Sequence, residues 1–195
     1  MTRFAQPAEF QIAEPVALPS GRCEGMRRLR TSDTAAFRDH LLRLDARGRR
    51  LRFGSPVNDA FIERYAADAL TDEGCIIGLF SDGILRGAAE LCGLGRDGAK
   101  AEAAFSLEAD LRGRGLGSRL FEEILAEARR AGIRSLAVHF LRENVAMRKI
   151  VARHSPKLEI EGAEVTATIR LDMADRLAPL RPLGSPAPVS LPEPA

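Results

Sequence analysis

Residues 110–118, Asp-Leu-Arg-Gly-Arg-Gly-Leu-Gly-Ser, place glycine at every second position, 113, 115 and 117, between an apolar strand-like run and a segment with helical periodicity. On the helical side Leu116, Leu120, Ile124 and Ala128 share one face, widened by Phe121 and Leu125. Glu122, Glu123, Glu127, Arg129 and Arg130 lie elsewhere, and Gly132 is the expected stop. A strand that turns through glycine into a helix aims the helix's unpaired N–H groups, and the positive end of its dipole, into a loop free of side chains. Backbone donors there can converge on an anion as large as a diphosphate, and Arg112 and Arg114 add positive charge.

Two competing glycine patterns fail on context. Gly93-Leu94-Gly95-Arg96-Asp97-Gly98 has the spacing of a dinucleotide fingerprint, but that fingerprint must open a helix, and residues 101–107 have the length and setting of a strand. Residues 93–98 are therefore expected to form a hairpin turn. The phosphate-loop pattern G-x-x-x-x-G-K-(S/T) does not occur.

Around the glycine junction the chain alternates between strand and helix. A strand near Met26–Arg30 runs into the capping residues Thr31-Ser32-Asp33 and a helix with Phe37, Leu41 and Leu44 inward. A second helix is expected from about Asn58 to Leu70, with Tyr65 at core spacing beside Phe61 and Ile62. Strands Cys75–Ser81 and Ile84–Leu94 flank Asp82-Gly83, a compact hairpin signal, and the strand before the glycines covers Lys100–Leu107. After the long helix come a buried strand, Ser135–Phe140, a short helix, Asn144–His154, and a hairpin pairing Lys157–Glu161 with Val165–Leu171 around Gly162.

Arg112-x-x-Gly115-x-Gly117 matches the (Arg/Gln)-x-x-Gly-x-(Gly/Ala) signature of the GNAT superfamily of acetyl-CoA-dependent N-acyltransferases, set between strand and helix as in that family. The element order β-α-α-β-β-β-α-β-α-β-β resembles the same family over residues 22 to 173. The resemblance implies an α/β GNAT fold: a mixed central sheet of about seven strands flanked by four helices, with a splayed central strand pair. It implies acetyl-CoA as cosubstrate, held by Arg112, Gly113, Arg114, Gly115, Leu116, Gly117 and Ser118, with an amine acceptor entering from the other side. Leu141–Ile150 resembles the family segment in which an asparagine before the short helix bonds the cofactor arm, a role that carries over to Asn144; capping that helix is the bland alternative, and both can hold.

An alkyl ammonium, with an ordinary pKa of about 10.4, must lose a proton before it can attack a thioester. Glu102 lies near the position of the catalytic glutamate in histone-type GNAT enzymes and bacterial protein-lysine acetyltransferases, with Glu90 and Glu108 as substitutes. Strand parity puts Glu102 with Ala104 and Ser106, opposite Ala103, Phe105 and Leu107. In the family a backbone N–H on this strand meets the acetyl carbonyl, and Leu107 or a close neighbour would supply it. Two departures stand out. The tyrosine that many members carry seven residues after the asparagine is Val151 here, and the closing Gly-Phe is Ser155-Pro156. A tyrosine acid is thus missing from its usual place. A catalytically weak acyl-CoA-binding regulatory module is the corresponding alternative.

Residues 47–56, Arg-Gly-Arg-Arg-Leu-Arg-Phe-Gly-Ser-Pro, are the most basic stretch and resemble the linker between the first two helices in relatives of protein-lysine acetyltransferases. That tilts the acceptor toward a protein lysine over a small-molecule amine. Nucleic acid is disfavoured, because the net charge is only +2 and stacking aromatics are sparse. Cys23, Cys75 and Cys92 form no C-x-x-C pair and suit reduced core thiols; His40, His139 and His154 lack metal-ligand spacing, so no metal is expected. No membrane-spanning run or signal peptide is evident, which makes the cytoplasm the default, and a homo-oligomer stays open. Residues 1–21 and the proline-rich 174–195 are expected to be a flexible extension and a tail, disordered or strapped onto the domain.

Overall fold

The structure, a computed structural model, describes residues 16–17, 23–70, 75–92 and 99–171. Its strands are β1 (Val16–Ala17), β2 (Cys23–Arg28), β3 (Cys75–Ser81), β4 (Ile84–Cys92), β5 (Lys100–Leu107), β6 (Ser135–Leu141), β7 (Lys157–Glu161) and β8 (Glu164–Arg170). The helices are α1 (Thr34–Arg43), α2 (Ala46–Phe53), α3 (Asp59–Ala69), α4 (Leu116–Arg130) and α5 (Val145–Val151). The strands form one mixed sheet in the order β1-β2-β3-β4-β5-β6-β8-β7. This is the expected α/β GNAT fold. β1 lies within the segment read as an N-terminal extension; the turn at 93–98 and the tail from 174 fall outside the described residues.

Both faces of the sheet are covered at its centre, so β3 is buried at nearly every position. Its side chains alternate between two cores. Ile77 and Leu79 pack with Leu116, Leu120, Phe121 and Ile124 of α4 on one face. Ile76 packs with Phe37 and Leu41 of α1 and Ile62 of α3 on the other. The β3–β4 hairpin turns through Asp82 and Gly83, both at positive φ (52° and 79°), as the Asp-Gly pair calls for.

Among the described residues there are five α-helices where four were expected: the basic stretch expected to be a linker is α2. Asp45 caps it, its Oδ1 accepting from Gly48 N–H at 2.6 Å, and Gly54 ends it in the left-handed conformation. Three of its four arginines, Arg49, Arg50 and Arg52, bond partners within the chain. Arg49 donates to the Leu42 carbonyl at 2.7 Å and to Asp59 at 2.6 Å, while Arg50 donates to Glu143 at 3.1 Å.

β5 and β6 are parallel, and all the other paired strands are antiparallel. Their register runs Lys100↔Ser135 to Ala103↔Val138 and then stops, although β5 stays paired to β4 as far as Leu107 and β6 to β8 as far as Leu141. The two strands therefore separate beyond Ala103 and Val138, opening the sheet at its centre as the resemblance implied. β5 carries the chain from that opening toward the glycine loop.

Candidate active site

The glycine loop presents open backbone at the start of α4. Gly113 and Gly115 both take positive φ (76° and 79°), and a methyl group added to either would meet nothing within 4 Å. Gly115 is also the N-cap of α4 and so offers no side-chain cap. The first hydrogen bond of the helix is Arg119 N–H to the Gly115 carbonyl, at 3.1 Å. The N–H groups of Leu116, Gly117 and Ser118 thus have no intrahelical acceptor, and no acidic side chain occupies the first turn. Free donors, open space and a dipole end fit a phosphate group.

The Arg112 side chain is bonded within the chain. Its Nε donates to the Leu107 carbonyl at 3.1 Å and its Nη2 to Asp45 at 3.1 Å, so the guanidinium joins the end of β5 to the cap of α2. It braces the splayed strand and the helix beside it.

Three glutamates were singled out, and the fold separates them. Glu102 sits on the open face, its side chain 58% exposed, with His139 of β6 as its neighbour: Nε2 stands 3.8 Å from Oε1. Glu90 is buried and held by the Arg52 guanidinium and by the hydroxyl of Tyr65, which donates to its Oε2 at 2.5 Å. Burial, and then the Glu90 charge, push the Tyr65 phenol up. The only tyrosine of the chain is thus a polar anchor, more than a core aromatic. Burial alone would raise Glu108, but hydrogen bonds from His40 and Arg86 and the charge of Arg43 outweigh it and hold the carboxyl below the usual range. Both are locked in ion pairs, and of the three glutamates only Glu102 is exposed.

Sequence reasoning missed the polar cluster beside this strand. His40 of α1, fully buried, contacts Ser106 of β5 through Nε2 at 2.8 Å and Glu108 through Nδ1 at 3.2 Å. It missed Arg52 and His139 as well. Strand parity offers one signal for the first of these, since Ser106 was already placed on the Glu102 face.

Across the opening, Asn144 caps α5: its Oδ1 accepts from Met147 N–H at 3.1 Å. The bland reading of that residue is realised, while its amide NH2 has no protein acceptor among the described residues. Val151 is buried in the core against α4, 1% exposed. Ser155 takes φ 47°, a left-handed conformation, at the position where the family pattern has glycine. Cys75 is buried, its thiol pushed up to about 12 by burial and the nearby Glu127, whereas Cys92 is exposed at the end of β4. Among the described residues no cluster of three potential metal ligands occurs, and no helix is long and apolar enough to cross a membrane.

The model of the acetyltransferase (GNAT) family matches residues 39–154, and the chain belongs to that family. It is an acyltransferase by that membership, with acyl-CoA as donor. Among solved structures it resembles the GNAT domain of S. lividans PAT, at 22% identity and a TM-score of 0.68, covering 80% of this chain and 96% of that one. A putative acetyltransferase from Salmonella typhimurium, solved with its cofactor acetyl-CoA, matches at 15% identity and TM-score 0.60 over 76% of this chain and 94% of its own. A cAMP-binding acyltransferase from Mycobacterium smegmatis matches at 22% identity and TM-score 0.58, over 86% of this chain and 49% of its own length. No curated protein sequence matches.

Proposed function

We propose that the protein transfers an acetyl group from acetyl-CoA to an amine, a protein lysine or a small-molecule amine, by direct attack in a ternary complex. The single observation that carries this reading is the strand opening between β5 and β6: it has an uncapped helix N-terminus at one end and an exposed carboxylate, Glu102, at the other. The pyrophosphate of the cosubstrate would lie on the Gly113–Ser118 backbone, with its arm passing toward Asn144. The Leu107 backbone would meet the acetyl carbonyl. Glu102 would act as a base toward the attacking nitrogen. Neither Cys75 nor Cys92 has the low-pKa setting of a nucleophile, which suits direct transfer, and these free thiols suit the cytoplasm.

Glu102→Gln tests the assignment. It keeps the shape and removes the base, so kcat should fall by roughly 10²-fold or more with acetyl-CoA affinity unchanged. Full activity in that variant would return the role to Glu90, Glu108 or water. The buried Val151, standing where the family's tyrosine acid falls, favours one other reading, a weakly catalytic acyl-CoA-binding regulatory module. Tight acetyl-CoA binding without turnover against a broad amine panel would support it.

A further inference from the structure

His139 is the first residue of β6 beyond the last paired position, Ala103↔Val138, so it stands at the point where the central strands separate. Its ring lies on the same face as Glu102, and its Nε2 is 3.8 Å from Glu102 Oε1. That spacing is too long for a direct hydrogen bond. It does leave room for a donor to lie against both atoms at once. Both side chains are about half exposed, 53% for His139 and 58% for Glu102, so a ligand from solvent can reach them. On the other side of the ring, Nδ1 is 3.0 Å from Thr166 Oγ1, in the neighbouring strand β8, where register sets Thr166 directly opposite His139.

We propose that His139 is a second catalytic residue, its Nε2 and Glu102 Oε1 forming a two-acceptor site that binds the incoming ammonium and removes its proton. The inference rests on the acetyltransferase reading above and deepens it at the same site. Thr166 has a defined part. With Nδ1–H donating to Thr166 Oγ1, the Nε2 lone pair is left facing the gap, as a base requires.

The proton count closes. The ammonium gives its first proton to His139 Nε2 and becomes a neutral amine, with the Glu102 carboxylate beside the new imidazolium. Attack forms the N–C bond and breaks the C–S bond, releasing the CoA thiolate. The second proton on nitrogen passes to Glu102. One of the two protons ends on the CoA sulfur by way of solvent and the other is released to water, so no separate tyrosine acid is required.

His139→Gln, Glu102→Gln, the double variant and Thr166→Val are compared by kcat with acetyl-CoA and an accepted amine, by calorimetric affinity for acetyl-CoA, and by ¹⁵N NMR of the imidazole. His139→Gln should lower kcat by about 10²-fold with acetyl-CoA affinity unchanged. The double variant should fall only a few-fold below the worse single one, because the two residues act as a unit. In the free protein the ring should carry its proton on Nδ1, and Thr166→Val should weaken that preference. A kcat for His139→Gln within about threefold of the wild type would overturn the proposal, as would an Nε2–H tautomer in the free protein. Wild-type protein that binds no acetyl-CoA would instead sink the acetyltransferase reading, and the tautomer would still decide the case of His139 because it needs no turnover.

Discussion

His40 of α1 and Ser106 of β5 meet at 2.8 Å, with the imidazole fully buried, in the part of β5 that has no partner in β6. The contact ties the splayed end of the strand to the helix beside it. A consistent proton arrangement has the Ser106 O–H donating to Nε2 and Nδ1–H donating to Glu108 at 3.2 Å. Arg43 donates to the same carboxylate at 3.0 Å and Arg86 at 2.5 Å, so one glutamate gathers α1 and β4 around the end of β5.

That arrangement predicts acid sensitivity. Burial holds the His40 pKa below its ordinary value, so the unfolded chain takes up this proton more readily than the folded one. The stabilisation is therefore complete above the unfolded-state histidine value of about 6.5 and is lost as pH falls below it toward the depressed folded value. Glu108, also depressed, adds loss of the same sign at lower pH. Urea midpoints measured from pH 7.5 down to pH 5 should decline, and His40→Gln should flatten the upper part of that decline. An unchanged slope in the variant would show that other groups carry it.

At the cradle, Gly117→Asp is the cleaner of the available tests. A Cβ there would touch only Ile150 Cδ1, at an ordinary 3.5 Å, and an acidic side chain in the first turn favours α4 by about 0.3–1 kcal/mol. Thermal stability should hold while acetyl-CoA affinity falls at least about tenfold, a cost of about 1.4 kcal/mol, because the carboxylate would occupy the anion position. Calorimetry on the folded variant decides it. Equal affinity would remove the loop from the binding site.

The glycine loop, α4 and the parity of β5 were legible because each is written locally, in a period of two or 3.6 residues. α2 was not, since four arginines obscure its two large apolar residues, Leu51 and Phe53; the cap Asp45 and the stop Gly54 were nonetheless there to be read. The proximity of Glu102 to His139 depends on the register of a parallel pair whose partner residues lie 35 positions apart in the chain. Nothing local specifies that register. Likewise Arg112 had the right position for the family signature, but only the placement of Asp45 shows that its guanidinium faces α2.

Glu90 should prove structural. It and Arg52 are both nearly closed to solvent, 6% and 7% exposed, and Tyr65 completes the cluster. Removing one member strands a buried charge, so Glu90→Ala should destabilise by about 3–5 kcal/mol. The loss would be read from urea unfolding. If Glu90→Gln folds well and transfers acetyl groups at the wild-type rate, the residue is not the base.

Val151→Tyr probes the missing acid. In the family pattern a phenol at this position stands near the departing sulfur, but here the side chain lies in the core with α4 and is 1% exposed. A tyrosine would have to displace packed neighbours, at a cost of about 1–3 kcal/mol, and would bury a hydroxyl with no partner assigned to it. For a chain of this size each kcal/mol lowers Tm by about 2–4 °C. The expected outcome is a melting point several degrees lower with no gain in single-turnover acetyl transfer and an unchanged solvent isotope effect. Faster turnover would mean that α5 can rotate to present the phenol and that thiolate protonation limits the rate. In that case proton delivery through solvent from His139 and Glu102 would be too slow to account for catalysis.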